Sequence, residues 1–228
     1  MDLIGLSAHC CSVCGKRLLD AAYRDWDGNY ACEEHKNCLC YCCGRTYGKN
    51  AIEIEPHVWL CESCSKTIPD KNTVKSVISY IRTFYKQNRL EVKSHVFLKG
   101  VSVSQMEQQY AHNVRGYVIY PPEPAGFTMV VLRHLSKTAL ALVLSHEMLH
   151  IWQYENQIFP PQPITEGFCN LGAYLILQSI GTKVATGQIF LLTNSADPIY
   201  GDGFRKMKNM YERQGLQAVI AYMQSFKR

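Results

Sequence analysis

The stretch His146-Glu147-Met148-Leu149-His150, set in the apolar run Ala139–Trp152, decides how this chain is read. On an α-helix two histidines four residues apart sit about 40° apart around the axis and ~6 Å apart along it, so both imidazoles reach one ion. The glutamate between them flanks the same face, where it can act as a general base on a metal-activated water. That combination is the working core of one large class of zinc peptidases. The residues leading into it, Leu135-Ser136-Lys137-Thr138-Ala139-Leu140-Ala141-Leu142-Val143-Leu144, read as a buried helix.

A catalytic zinc takes a third protein ligand and keeps one position open. Glu155 lies five residues beyond His150 and so about 140° around the helix, facing away. The ligand is therefore expected from another element. Phe159-Pro160-Pro161-Gln162-Pro163 breaks the helix near Asn156, and Ile164–Ile180 reads as a second apolar helix that Gly181 ends. Glu166, in the first turn of that helix, is the expected ligand; the alternative is a carboxylate that merely complements the helix N-terminus. Gly167 and Gly172 are expected to let the two helices approach closely. Asn170, on the same face as Glu166, is expected either to orient a metal ligand or to make a simple polar contact.

Ten of the eleven cysteines fall between Cys10 and Cys64, and only Cys169 lies beyond. Cys11-x-x-Cys14 is followed after seventeen residues by Cys32-x-x-His35, and Cys40-x-x-Cys43 after seventeen by Cys61-x-x-Cys64. The two units repeat with a period of 29 residues. Each Cys-x-x-Cys turn offers two thiolates to one tetrahedral ion, and the distant pair closes the site. Four protein ligands leave no open position, so two structural zincs are expected here, folding the segment rather than doing chemistry. His35 with Cys38 is the alternative second pair for the first site; repeat symmetry favours Cys32 with His35. Tyr23–Tyr30 and Ile52–Leu60 read as hairpins, with Trp26, Tyr30 and Trp59 as their small cores.

At 228 residues the chain holds a medium domain plus a small module, expected at 9–66 and 70–228. The formal charge of +5 is spread out, and the finger segment mixes Asp25, Glu33, Glu53 and Glu62 with its bases, so no nucleic-acid partner is indicated. Met1–His9 lacks the marks of a secretory signal, and Arg133, His134 and Lys137 interrupt the apolar stretch Met129–Leu144. The expectation is a cytoplasmic protein without a membrane partner. Between the modules the pattern predicts a helix over Thr73–Asn88, packing the fingers onto the rest, then a strand over Glu91–Leu98 and a helix over Ser104–Asn113. Strands over Gly116–Tyr120 and Phe127–Arg133 follow, joined by the turn Pro121-Pro122-Glu123-Pro124. Phe127–Arg133 is the candidate edge strand for an extended substrate, and Phe204–Phe226 reads as one or two covering helices.

His146-Glu147-x-x-His150 followed by Thr165-Glu166-Gly167-Phe168-Cys169 resembles the gluzincin clan of zinc peptidases. More narrowly, the chain is similar to the LIM-containing, ubiquitin-activated peptidases that limit organ size in plants, and to their bacterial relatives. The likeness takes in the paired knuckles, the catalytic helix and Pro198-Ile199-Tyr200-Gly201-Asp202-Gly203-Phe204-Arg205. It implies an α+β fold, a LIM-like double zinc finger ahead of a minimal gluzincin-type domain with a small sheet and active-site helices. It also implies an endopeptidase in which His146, His150 and Glu166 hold zinc and Glu147 activates water. The partners implied are a protein or peptide substrate and ubiquitin or another regulatory protein. Tyr200, read in a Gly/Asp-rich turn, is the candidate donor to the oxyanion. Arg205 is the second choice, as donor or as clamp for a substrate carboxylate. The competing class is a non-catalytic LIM-like adaptor on an inactive peptidase fold.

Overall fold

The structure, a computed structural model, describes residues 9–18, 22–109, 114–120, 122 and 124–228. It is mixed α+β with small sheets, and the chain divides into two compact units, Met1–Ile68 and Pro69–Arg228.

The first unit is built from short antiparallel pairs: β1 (His9–Cys10) with β2 (Arg17–Leu18), β3 (Tyr23–Arg24) with β4 (Tyr30–Ala31), and β5 (Ile52–Glu55) with β6 (Val58–Leu60). The single turn α1 (Glu62–Ser65) follows. Both hairpins expected from the sequence are present. In the first, the Asp25 carboxylate accepts the backbone N–H groups of Asp27 (2.8 Å) and Asn29 (2.9 Å), and Gly28 takes φ 85°. That left-handed conformation explains the Asp27-Gly28 pair. Trp26 donates its indole N–H to the Cys43 carbonyl at 2.8 Å, and Trp59 stacks on Tyr47. Neither indole is fully buried; the interior of this unit is Ala31, Leu60 and the cysteines themselves. So small an apolar interior cannot hold a fold by burial alone.

The second unit begins with α2 (Lys71–Gln87), capped by Asp70, whose carboxylate accepts the Thr73 N–H at 2.7 Å. Then come β7 (Val96–Val101), α3 (Val103–Gln109), β8 (Gly116–Val118) and β9 (Phe127–Leu132). Five helices complete it: α4 (Lys137–Glu155), α5 (Gln162–Ile180), α6 (Lys183–Thr193), α7 (Tyr200–Gln214) and α8 (Leu216–Gln224). Both α4 and α5 are apolar around most of their circumference, which is why they form the buried centre of the unit. Among the described residues no helix is long and apolar enough to cross a membrane.

The helix expected over Thr73–Asn88 is present as α2, and several other sequence expectations need correcting. The helix over Thr73–Asn88 buries Val77, Ile81 and Tyr85 within the second unit and packs on α4; the Tyr85 hydroxyl donates to the Ser145 carbonyl at 2.9 Å, one residue before His146. The strand expected over Glu91–Leu98 starts only at Val96. The loop before it is pinned because the Glu155 carboxylate accepts the N–H groups of Lys93 (3.0 Å) and Ser94 (2.7 Å). The sheet order is β7-β9-β8, with β9 parallel to β7 and antiparallel to β8. Phe127–Leu132 is therefore the central strand, and Gly116–Val118 is the edge strand nearest α4. β9 is apolar at nearly every position, as suits a strand covered on both faces. Of the helix expected over Ser104–Asn113, residues 110–113 lie outside the described residues, as do Pro121 and Glu123 of the expected turn. The helix α6 was not anticipated. Gly167 packs on α7 rather than α4: a methyl group there would lie 2.3 Å from the Gly203 backbone. Only Gly172 faces α4, against Leu149.

Candidate metal centres

In the first unit Cys11, Cys14, Cys32 and His35 converge, and so do Cys40, Cys43, Cys61 and Cys64, each set with its ligand atoms within 4.8 Å of one another. A tetrahedral ion at ordinary zinc bond lengths separates two sulfurs by about 3.8 Å and a sulfur from a nitrogen by about 3.6 Å. Cys43 Sγ and Cys61 Sγ are 3.8 Å apart; His35 Nδ1 lies 3.7 Å from Cys11 Sγ and 3.1 Å from Cys32 Sγ. The donor sets fit a metal ion. Cys38 is not among these ligands; it sits against the Tyr47 hydroxyl, so the pair Cys32/His35 completes the first set. Burial opposes ionisation of Cys11, yet backbone N–H groups of Cys14, Cys32 and Val13 bring its thiol down to about 6.

In the second unit α4 presents His146 and His150 on one face, and α5 crosses it with Glu166. Glu166 stands in the second turn of α5, not the first, because the helix already starts at Gln162. His146 Nε2 lies 3.1 Å from Glu166 Oε2 and 3.2 Å from His150 Nε2, and His150 Nε2 lies 3.6 Å from Glu166 Oε2. The tetrahedral edge for nitrogen and oxygen ligands is about 3.3 Å. Three donor atoms thus surround a point at bonding distance from each. The fit is chemical as well as geometric. Burial works against the Glu166 carboxylate, but the two imidazoles hold its pKa down to about 2, so the ligand is ionised.

Cys169 is a further donor that the sequence left aside: its sulfur lies within 4.8 Å of the two histidines. Burial pushes its thiol well above the ordinary range, and it accepts the Gln153 amide N–H at 3.1 Å. Glu166 Oε2, 3.1 Å and 3.6 Å from the two imidazoles, and the Cys169 sulfur are both candidate third donors.

Asn170 Oδ1 lies 2.9 Å from His146 Nδ1, while Asn170 Nδ2 donates to the Tyr200 carbonyl at 3.2 Å. Asn170 thus contacts His146 on the ring nitrogen that faces away from Glu166. Glu147 lines the same cleft of ≈ 710 Å³ and is buried, which raises its pKa against the opposing pull of His146 and His150. Gly116 lies directly against it: a methyl group at Gly116 would meet Val143 Cγ1 at 2.5 Å and Glu147 Oε1 at 2.9 Å.

Tyr200 also lines the cleft, its ring centroid 6.5 Å from that of His146; it opens α7 rather than sitting in a free turn. Its first-turn N–H and that of Ile199 are taken by Asp197 Oδ1, both at 2.8 Å. Burial pushes its hydroxyl up to about 12. Arg205 does not face this cleft. Its guanidinium donates to the carbonyls of Thr193 (3.1 Å) and Ser195 (2.6 Å) and pairs with Asp202, tying the end of α6 to α7. Three of its five N–H donors are held by these contacts, and Arg205 is not among the residues that line the cleft. The distinctive stretch Pro198–Arg205 is thus largely packing: a methyl group at Gly201 or Gly203 would lie 2.3 Å from the Ser195 carbonyl and 2.1 Å from that of Pro163. A separate cleft of ≈ 550 Å³ beside Ser94 and Glu155 holds none of the metal-binding side chains.

No protein-family model, curated protein or solved structure matches this chain.

Proposed function

We propose that the second unit is a zinc-dependent endopeptidase of the gluzincin type and that the first is a LIM-like double zinc finger serving regulation or substrate recruitment. One observation supports this above the rest: His146, His150 and Glu166 present three donor atoms 3.1–3.6 Å apart at the wall of an open cleft that also holds the buried carboxylate of Glu147.

A zinc ion held by those three residues supplies a Lewis acid that makes water nucleophilic near neutral pH and polarises the scissile carbonyl. Glu147 accepts a proton from the attacking water as the new C–O bond forms, and gives it to the amine nitrogen as the C–N bond breaks. Its raised pKa suits a group that must both take and return that proton. Tyr200 remains protonated over the working range and donates to the carbonyl oxygen as negative charge develops there. Asn170 keeps His146 in the tautomer with its lone pair on Nε2. The edge strand β8 offers an extended peptide a partner strand along the cleft.

The test compares zinc-loaded wild type with Glu147→Gln on an unfolded protein substrate. Digestion by wild type and none by the variant, at equal zinc content, supports the reading. Equal digestion by both removes Glu147 from the mechanism. No digestion by either, with three ions bound, favours the adaptor alternative.

A further inference from the structure

Beside the cleft lies a smaller cavity of ≈ 350 Å³ that the chemistry above does not use. His150 and Tyr120 line both spaces, so the two adjoin at the face of α4 that carries the histidines. The walls of the smaller cavity are aromatic. Tyr120 and Tyr154 pack at 5.2 Å between ring centroids, and Phe159 meets Tyr154 edge-on at 6.4 Å. Ile158, 1 % exposed, lies among them, and Pro160 and Thr165 complete the rim. The three rings are nevertheless 41 %, 36 % and 45 % exposed in the order Tyr120, Tyr154, Phe159. Three large, partly exposed rings border one hollow that His150 also lines (Tyr154 and Phe159 border the cleft beside Ser94 as well), a concave apolar surface of the kind that receives a ligand side chain. The rings hold their positions by packing on one another and on Phe127 (5.5 Å from Tyr154), so the hollow exists before any ligand arrives.

We infer that this cavity is a specificity pocket for a large apolar or aromatic side chain of the peptide substrate, on the N-terminal side of the scissile bond. The inference rests on the peptidase reading and deepens it. The side follows from the direction of β8. Gly116, at its start, abuts Glu147, whereas Tyr120, beyond its end, opens the pocket. A peptide added to β8 in the antiparallel sense, the more stable pairing, places its N-terminal residues beside Tyr120. The occupant is a substrate side chain because the pocket adjoins the cleft and, among the described residues, no Asp, Glu, Lys or Arg lines it; Arg228 lies 5.5 Å from the Phe159 ring but lines the separate cleft beside Ser94.

The experiment digests a proteome-derived peptide library with the zinc-loaded protein and reads the cut sites by mass spectrometry, for wild type, Phe159→Ala and Phe159→Leu. The expected wild-type result is enrichment of Phe, Tyr, Leu or Met at one of the two residues before the cut. On matched synthetic peptides, the ratio of kcat/KM for Phe over Ala at that position should be about tenfold or more. Phe159→Ala flattens that ratio and Phe159→Leu restores most of it, with zinc content the same in all three. Cleavage with no such enrichment, or a ratio that Phe159→Ala leaves unchanged, overturns the pocket while the peptidase reading stands. If wild type cuts nothing, fluorescence anisotropy of the same labelled peptides on the zinc-loaded protein decides. Tighter binding of the Phe peptide, lost in Phe159→Ala, keeps the pocket and discards hydrolysis; no preference discards the pocket too.

Discussion

Asn170 fixes the tautomer of His146. Its amide nitrogen is committed to the Tyr200 carbonyl at 3.2 Å, so its oxygen faces His146 Nδ1 at 2.9 Å and can only accept. In the neutral imidazole the proton then sits on Nδ1, leaving the Nε2 lone pair aimed at the point shared with His150 and Glu166. One side chain on α5 thereby joins the metal face of α4 to the start of α7.

Asn170→Ala should weaken zinc binding at this centre by about 10–100-fold, the usual effect of losing such an outer hydrogen bond. Asn170→Asp, which still accepts from Nδ1, should keep most of the affinity. Chelator competition measures both, and equal affinity in Asn170→Ala and wild type would show the contact to be incidental.

Metal content separates the three centres. The two finger sites and the His146/His150/Glu166 site lead to an expected three zinc ions per chain. The double variant His150→Ala, Glu166→Ala should retain two, with the circular dichroism of the fold preserved. Stripping all metal should unfold the first unit, whose apolar interior is small, and leave the second unit's helical signal. A finger unit that stays folded without metal contradicts this.

The pH dependence of the metal-free protein has a definite sign. The Glu166 pKa, lowered to about 2, contributes stability that is fully present above its ordinary value near 4.5 and is lost as pH falls through about 2. For His146, burial lowers the pKa, but Glu166 and its other partners raise it overall, so its contribution is present below 6.5 and fades as pH rises through the higher folded value. Both contributions are therefore complete between about pH 4.5 and 6.5. The Tm of metal-free wild type minus that of metal-free Glu166→Gln should be greatest in this window and shrink on either side. A difference that is flat from pH 3 to 8 removes the coupling.

Gly116→Ala tests the packing of β8 on Glu147, the proposed general base. The added methyl group overlaps Val143 and the Glu147 carboxylate, so the strand or the glutamate must move. Peptidase activity should fall by about tenfold or more, since displacements near 1 Å can cost that much. Zinc content should not change, because Glu147 is not a ligand. Unaltered kcat/KM means that the strand yields instead.

Gly203→Ala probes the crossing of α5 and α7. A Cβ there meets the Pro163 carbonyl carbon and oxygen, both backbone atoms that cannot rotate away. Destabilisation of about 1–3 kcal/mol, the range for overpacking, is expected from chemical denaturation. An unchanged midpoint shows that α7 can slide on α5 at no cost.

The elements that proved legible were those written as local periodicity. The spacing of His146, Glu147 and His150 places all three near one face whatever surrounds the helix, because 3.6 residues per turn fixes the angle. The cysteine pairs announce two metal-binding sets because a two-residue turn brings two thiols together regardless of the rest. The Asp27-Gly28 turn and the Gly181 helix end, at φ 64°, follow from backbone preference alone. The sequence by itself therefore determined the donor types, the helices and hairpins that carry them, and the candidate third ligand.

What the tertiary structure alone decided is the pairing of distant segments. Nothing in local periodicity tells an edge strand from a central one, and β8 rather than β9 took the edge because β7 pairs with β9 in parallel from a segment thirty-one residues upstream, Val96 opposite Phe127. Nor does spacing show that Arg205 turns to the carbonyls of Thr193 and Ser195 rather than to the cleft: α6, whose C-terminal carbonyls need donors, was itself unseen. The aromatic pocket draws Tyr120, Tyr154 and Phe159 from a strand end, a helix end and a loop. Each of these depends on which surfaces meet when α4 and α5 are buried, and burial is a property of the whole fold, not of any one stretch of chain.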